Sequence, residues 1–352
     1  MSILIVVIVV LLLLWLEKRW LNASARAVRW KLQTSRILAE PGEELRLTAR
    51  VDNTRKLLIP FVRLHLEIPA ECEVSRMDTT DTICRNSGSW WHIEERFSLR
   101  PLQRAEKAVF FTAPSRGVYH VGKGRLTVGD LLGFREEEFT LEPEQVVVMP
   151  ERSRNTKALD AAGGFLGDIS VRRFIMEDPI LITGFRDYTG REPMRAISWT
   201  RTAMTGELQV KQFDYTAEKT AVVLLNTRGA SGELLEECLR MTRSVCEQLE
   251  KSRIPFSLRT NGNLPGPVGK LHWVPEGLGE SHLNTILFGL GRADATCFFT
   301  LATLIKQTLR KRKHNDAYIV ITPPLSPEDR RIVKELENLT GNPVCVLEVK
   351  EA

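Results

Sequence analysis

The sequence predicts a multi-domain chain: an N-terminal transmembrane helix, then an antiparallel β-sandwich, then an α/β domain built on a doubly wound parallel sheet. Three observations carry this. An unbroken apolar run, ILIVVIVVLLLLWL, opens the chain from Ile3 to Leu16. Between Val28 and Pro150, short runs with a period of two follow one another without helices between them, and from Lys219 onward strand-like and helix-like segments alternate. The 352 residues leave room for two domains and an appendage, and a composition of 43 % hydrophobic and 26 % charged residues is that of an ordinary folded protein.

Residues 1–21 read as a membrane anchor. The apolar run is shorter than the roughly 20 residues a span usually needs, but Met1, Trp20 and Leu21, with Lys18 snorkelling, extend its reach. A secretory signal peptide fits less well, because no cation precedes the run, although Ala23-Ser24-Ala25 has the look of a cleavage site. A buried helix of a soluble protein is the other alternative. Lys18, Arg19, Arg26, Arg29 and Lys31 all follow the apolar run, so the positive-inside rule predicts a single-pass inner-membrane protein with its bulk in the cytoplasm and the lipid bilayer as a partner. The six cysteines (Cys72, Cys84, Cys238, Cys246, Cys297, Cys345) contain no CxxC pair and read as reduced thiols, which agrees with that placement. A net charge of +5 is modest for this length and implies no nucleic-acid partner.

Residues 28–150 read as the sandwich. LRLTARV (45–51), FVRLHLEI (61–68), RFSLRPL (96–102), AVFFTA (108–113), GRLTVG (124–129) and QVVVMP (145–150) are separated by turn chemistry such as Pro41-Gly42, Asn86-Ser87-Gly88 and Pro114-Ser115. Such a module binds or spaces rather than catalyses. Its histidines, His65, His92 and His120, stand singly without metal-ligand spacing and read as surface or hydrogen-bonded side chains.

Residues 151–217 form a connector and a dense central segment. Glu151 to Asp178, with Gly163, Gly164 and Gly167, reads as a mobile connector; GGFLGD lacks the Gly-Lys-Ser/Thr of a phosphate loop. In DPILITGFRDYTGREPMRAISWTRTAMTGELQVKQF (178–213), Arg186, Arg191, Arg195 and Arg201 alternate with Phe185, Tyr188, Ile197 and Trp199. Two readings stand side by side: arginines packed on aromatic faces to clamp a junction, or a docking surface built from the residue types that dominate binding hot spots. Spacing suggests a division of labour. Arg195 and Trp199, four residues apart, can share a helix face and hold the fold, whereas Arg186 and Tyr188 lie on one side of an extended segment and are available to a partner.

Residues 218–352 alternate strand and helix. KTAVVLLN (219–226), FSLRT (256–260), AYIVIT (317–322) and VCVLEV (344–349) are the strands; helices cover the stretch with Leu234, Cys238, Met241, Val245 and Leu249, then 280–290, 295–311 and 327–339. Lys306, Arg310, Lys311, Arg312, Lys313 and His314 close one of these helices. They fit dipole complementarity at a helix C-terminus, with anionic lipid as the alternative partner.

The order Gly184, Arg186, Tyr188, Gly190, Arg195, Ile197, Trp199, Ala203, Leu208, Val210, Lys211 and Phe213 resembles the signature of the domain of unknown function 58 family, and RGVYHVGKGRLTVGDLLGF (116–134) resembles that family's second motif. One position departs. Where the family has Gly-Asp after the tyrosine, this chain has Gly190-Arg191. The resemblance implies a C-terminal domain of von Willebrand factor type A-like fold and a MoxR-type AAA ATPase as partner in a chaperone or assembly system. In type A domains the first strand ends in Asp-x-Ser-x-Ser, which holds Mg²⁺; the matching positions here are Asn226, Arg228 and Ala230. They supply a neutral amide, a cation and nothing, where Mg²⁺ needs oxygen ligands including a carboxylate. The site reads as degenerate, with no metal and no cofactor.

No HExxH, GxSxG or Walker A motif is present. The sequence therefore predicts a non-enzymatic adaptor whose interaction residues are Arg186, Tyr188, Arg195, Trp199 and Lys211. Two alternatives remain: a hydrolase or transferase using Asp187 or Glu192 as acid or base, and a metal-dependent ligand-binding domain.

Overall fold

A computed structural model describes residues 2–77, 82–130, 135–172, 182–190, 192–213, 220–265, 270–310, 316–341 and 344–350. The chain forms two compact units, Met1–Glu151 and Arg152–Ala352.

In the first unit, α1 (Ser2–Ala25) precedes β1 (Val28–Thr34), β2 (Leu38–Ala39), β3 (Glu44–Asn53), β4 (Ile59–Pro69), β5 (Glu73–Met77) and β6 (Ile83–Asn86). The chain continues through β7 (Trp90–Leu99), β8 (Arg104–Thr112), β9 (Gly117–Val121), β10 (Lys123–Gly129), β11 (Glu136–Leu141) and β12 (Glu144–Val148). Two antiparallel sheets, ordered β1-β3-β8-β5 and β11-β10-β4-β7-β6, are joined by a three-stranded sheet, β2-β12-β9. The period of two in the sequence becomes alternation of burial: Leu45, Leu47, Ala49 and Val51 of β3 point inward, as do Val62, Leu64, Leu66 and Ile68 of β4. With Val109 and Phe111 of β8, Ile93 of β7 and Leu126 and Val128 of β10 they form one core. Glu95, only 4 % exposed, sits among these side chains with Lys107 of β8 at 3.0 Å and the Thr82 hydroxyl donating at 2.9 Å. The pairing offsets the cost of burying a carboxylate.

The first element corrects the expected fold class. Among the described residues no helix is long and apolar enough to cross a membrane. The physical reason lies in how α1 divides its length. Its apolar run covers 14 residues, about 21 Å at 1.5 Å per residue against a hydrocarbon core of about 30 Å. Glu17, Lys18 and Arg19 follow within the helix, and its last turns bury Leu21, Ser24 and Ala25 and pack on β10 and β11. Those turns belong to the sandwich. This corrects the expected transmembrane anchor over residues 1–21 and the expected single-pass inner-membrane localisation.

In the second unit, α2 (Thr156–Arg172), β13 (Ile182–Asp187), a 3-10 turn (Met194–Ala196), α3 (Trp199–Thr205) and β14 (Gln209–Phe213) come first. They are followed by β15 (Thr220–Leu225), α4 (Glu233–Lys251), β16 (Phe256–Pro265), β17 (Lys270–Gly277), α5 (Glu280–Arg292), α6 (Leu301–Arg310), β18 (Asp316–Thr322), α7 (Pro327–Thr340) and β19 (Val344–Glu348). The sheet order is β17-β16-β15-β18-β19. The expected wholly parallel, doubly wound sheet is also corrected: β16, β15, β18 and β19 are parallel, but β17 folds back antiparallel on β16 as a hairpin, so the sheet is mixed. β15 and β18 are buried along their whole length, which is why they read as continuous apolar runs. Val222, Leu224, Tyr318 and Val320 pack with Leu301, Leu304 and Ile305 of α6 and Val333 and Leu336 of α7. α4 lies against β15 and β18 through its apolar stripe.

The expected connector is a helix where it is described. Asn155 Oδ1 accepts from the Ala158 amide at 3.2 Å, Ala162 and Leu166 are buried four residues apart, and α2 packs on α4 and β19. Three helical glycines cost roughly 1 kcal/mol each relative to alanine, and packing outweighs them. Residues 173–178 of that segment, like Lys311–His314 of the basic run, lie outside the described residues.

Two glycines make a direct test of packing. A Cβ at Gly124 of β10 would sit 1.9 Å from the His65 carbonyl oxygen on β4, whereas one at Gly163 of α2 would meet nothing within 4 Å. Gly124→Ala should destabilise the first unit by about 3 kcal/mol or more, and Gly163→Ala should stabilise the second by up to about 1 kcal/mol. Urea denaturation of the two variants measures both; equal effects would refute the close approach of β10 to β4.

Candidate functional site

The central segment folds as a two-stranded antiparallel ribbon carrying a structured excursion. Phe185 pairs with Lys211, Arg186 with Val210 and Asp187 with Gln209, and the register shifts between Ile182 and Gly184. Between the strands the chain makes the 3-10 turn, returns at Ile197 to bridge Val210, donates the Ser198 amide to the Gln209 carbonyl at 2.8 Å, and then forms α3. Gly206, with φ of 76°, ends that helix in the left-handed conformation, and its amide donates to the Thr202 carbonyl. Ala196, Ile197, Ser198 and Val210 are the buried centre.

Around that centre the large apolar side chains face outward. Trp199 is 60 % exposed, Met204 75 % and Met194 65 %, with Phe185 and Leu208 also exposed. The Arg201 guanidinium lies over the Phe185 ring, 5.0 Å from its centroid. This corrects the reading in which Trp199 and Arg195 hold the fold. Arg195 sits in the 3-10 turn and Trp199 opens α3, with extended backbone at Ile197 and Ser198 between them, so the two share no helix face. No residue of α3 is buried.

Arg186, expected to be available, is engaged. Its Nη1 lies 2.6 Å from Glu192 Oε1, and the same carboxylate accepts from the Thr189 hydroxyl at 2.8 Å and the Thr189 amide at 3.1 Å. The Thr189 hydroxyl foremost, then the Thr189 amide and the Arg186 guanidinium, outweigh partial desolvation and hold Glu192 down at about 2 from the usual 4.5. Asp187 accepts from Gln209 Nε2 at 2.5 Å. Tyr188 is half-buried, with its amide on the Leu208 carbonyl at 2.9 Å, and Lys211 is half-buried on β14. Arg191 lies outside the described residues.

A second cluster occupies the carboxyl end of β15. Asn226 is buried; its Nδ2 donates to Thr322 Oγ1 at 2.9 Å, and its Oδ1 accepts from the Arg228 amide at 3.1 Å and from Asn261 Nδ2 at 2.6 Å. Asn261 in turn accepts from the Thr227 amide at 2.8 Å and donates to the Phe299 carbonyl at 3.1 Å. The two amides tie the ends of β15, β16 and β18 together. Ala230 is buried and brings no ligand, so the position of Asn226, Arg228 and Ala230 is a hydrogen-bonded brace.

A third cluster has no signature in the spacing of the sequence. On the outward face of β4 and β7, His65 Nε2, Glu67 Oε1 and His92 Nδ1 come together at 3.5, 3.7 and 3.4 Å. Only the register reveals it: Glu67 stands opposite His92, and His65 is two residues away on the same strand face.

Among the thiols, burial pushes Cys72 and Cys238 up to about 12 and Cys345 up to about 11, which leaves them protonated and unreactive at neutral pH.

No family model and no curated protein matches the chain. Solved structures of partial likeness include a cohesin module of a family 33 glycoside hydrolase from Clostridium perfringens, 9 % identical over 35 % of this chain and 96 % of that one, with a TM-score of 0.27. Another is the cupredoxin domain of amoB from Nitrosocaldus yellowstonii, 13 % identical over 36 % of this chain and 89 % of that one, at 0.23. A non-cellulosomal cohesin from Archaeoglobus fulgidus is 15 % identical over 34 % of this chain and 86 % of that one, also at 0.23.

The Glu192 cluster sets a pH dependence. Because folding lowers the pKa of Glu192 from 4.5 to about 2, its contribution to holding the ribbon is fully present above pH 4.5 and is lost as pH falls through about 2. Carboxyl NMR should place the Glu192 midpoint near 2, and Thr189→Ala should raise it towards 4.5. A midpoint of 4.5 in the unaltered protein would show the cluster to be unformed.

Proposed function

We propose that the chain is a non-enzymatic interaction protein that docks a partner on the apolar surface around α3, and that this partner is a MoxR-type AAA ATPase acting in a chaperone or assembly system. The observation that carries the reading is the outward Trp199, Met194 and Met204 on a backbone pinned by the Ile197–Val210 bridge and the Arg186–Glu192 pair. A ribbon that leaves a tryptophan and two methionines in water gives up burial of about 1.5–3 kcal/mol per methionine-sized side chain, which a partner can recover. The ATPase is proposed from the resemblance of this segment to the domain of unknown function 58 signature.

The hydrolase or transferase reading is disfavoured by the same residues. A carboxylate with a midpoint of about 2 is too weak a base for catalysis at neutral pH, and Glu192 is already committed to Arg186 and Thr189. Asp187 is tied to Gln209. The metal-dependent ligand-binding reading lacks a carboxylate at Asn226, Arg228 and Ala230.

Trp199→Ala and Met204→Ala test the docking surface. As both residues are exposed, each variant should keep its stability within about 0.5 kcal/mol, while affinity for the cognate ATPase in a purified binding assay should fall at least tenfold for Trp199→Ala, about 1.4 kcal/mol. Arg186→Ala should change stability by less than about 1 kcal/mol, as for other exposed ion pairs. Unchanged binding by Trp199→Ala, or no binding by the unaltered protein, would overturn the reading.

A further inference from the structure

We propose that His65, Glu67 and His92 form a binding site for one divalent transition-metal ion of the zinc type on the outer face of the β11-β10-β4-β7-β6 sheet. The donor atoms form a nearly equilateral triangle with edges of 3.5, 3.7 and 3.4 Å. An ion bonded to each at roughly 2.0–2.1 Å in tetrahedral geometry places its ligands about 3.3–3.4 Å apart, so each edge has to shorten by a few tenths of an ångström at most. The triangle is already close to the ligated size.

Chemistry selects the class of ion. Two imidazoles with one carboxylate suit Zn²⁺, Cu²⁺ or Ni²⁺, whereas Mg²⁺ and Ca²⁺ require sets dominated by oxygen. The scaffold also favours a site. All three side chains project from paired strands whose register is fixed by the core on the opposite face, so their relative positions cost little entropy to hold. The far nitrogen of His92, Nε2, lies 2.9 Å from the Ser87 hydroxyl, a contact of the kind that orients a ligating imidazole. The imidazole rings are nearly parallel, 24° apart with centroids at 5.4 Å, so neither ring blocks the other's nitrogen.

Charge on this face is the opposing consideration. Arg63 is paired with Glu94 at 3.6 Å and Glu136 at 3.4 Å, Arg96 with Glu94 at 2.7 Å, and Arg125 with Glu138 at 3.7 Å, so these three arginines are partly compensated. Lys123 of β10 stands opposite Glu67, and Arg85 of β6 opposite His92, and both act against a dication. The three ligand side chains retain 25, 24 and 34 % exposure. The fourth coordination position therefore opens to solvent, where water or a carboxylate or imidazole from another molecule completes the shell.

The test uses the full chain, freed of metal with a chelator and titrated with Zn²⁺ in competition with a chromophoric indicator. One ion per chain should bind, with affinity reduced at least about 100-fold in His65→Ala and His92→Ala and about tenfold in Ser87→Ala, and unchanged in the control His120→Ala. Because a variant could lose its fold for other reasons, ring-nitrogen NMR of the unaltered protein supplies an independent reading: Zn²⁺ should shift Nε2 of His65 and Nδ1 of His92 and leave His120 in place. Absence of binding, retention of full affinity in His65→Ala and His92→Ala, or ring shifts confined to other histidines would each overturn the proposal and reduce the cluster to a hydrogen-bonded His-His-Glu group.

Discussion

The register of β4 between β10 and β7 is the constraint on which the first unit depends. β4 is central in its sheet, and its pairing places Val62, Leu64, Leu66 and Ile68 in the core while turning Arg63, His65 and Glu67 to the other side. A slip of one residue would exchange the two sets, exposing four large aliphatic side chains and burying two charges and an imidazole. Gly124 limits that freedom further, because its backbone approaches the His65 carbonyl more closely than any side-chain-bearing residue allows. The same register that seals the core therefore assembles the histidine triangle on the outside. Core and surface chemistry are two faces of one pairing.

The second unit solves a different problem. A sheet covered by helices leaves its polar strand ends at the carboxyl edge, where backbone groups leave the ladder and need partners. Here Asn226 and Asn261 provide them, bridging β15, β16 and β18 without a formal charge. A carboxylate at Asn226 would face two donors but could no longer donate to Thr322. An amide, with both a donor and an acceptor, satisfies all of these neighbours at once.

Periodicity was legible where each strand or helix keeps one face in the core. LRLTARV and FVRLHLEI alternate because β3 and β4 do, and the stripe of Cys238, Met241, Val245 and Leu249 follows the buried side of α4. What periodicity does not carry is pairing partner and direction. The fold-back of β17 on β16 and the meeting of His65 with His92 depend on register across strands, which no local window contains. The apolar opening run misled for a related reason: composition gives its hydrophobicity, but only the packing of Leu21, Ser24 and Ala25 shows that the end of α1 is committed to protein. Trp199 misled in the opposite sense. Aromatic residues dominate cores, and the sequence of the central segment does not reveal that Ile197 and Val210 suffice to fill its small interior.

The placement of α2 bears on the solution behaviour of the chain. β19 is the last strand of its sheet, pairing among the described residues with β18 alone, and its Val346 is exposed. Such an edge is a template for strand addition and amyloid-like growth unless something screens it. α2 packs against β19 and α4, so a glycine-bearing helix of marginal intrinsic propensity covers apolar surface next to that edge strand. Fraying of that helix, by heat or by proteolysis near Thr156, would bare this surface beside an edge strand and favour aggregation before the sheet itself had lost a hydrogen bond.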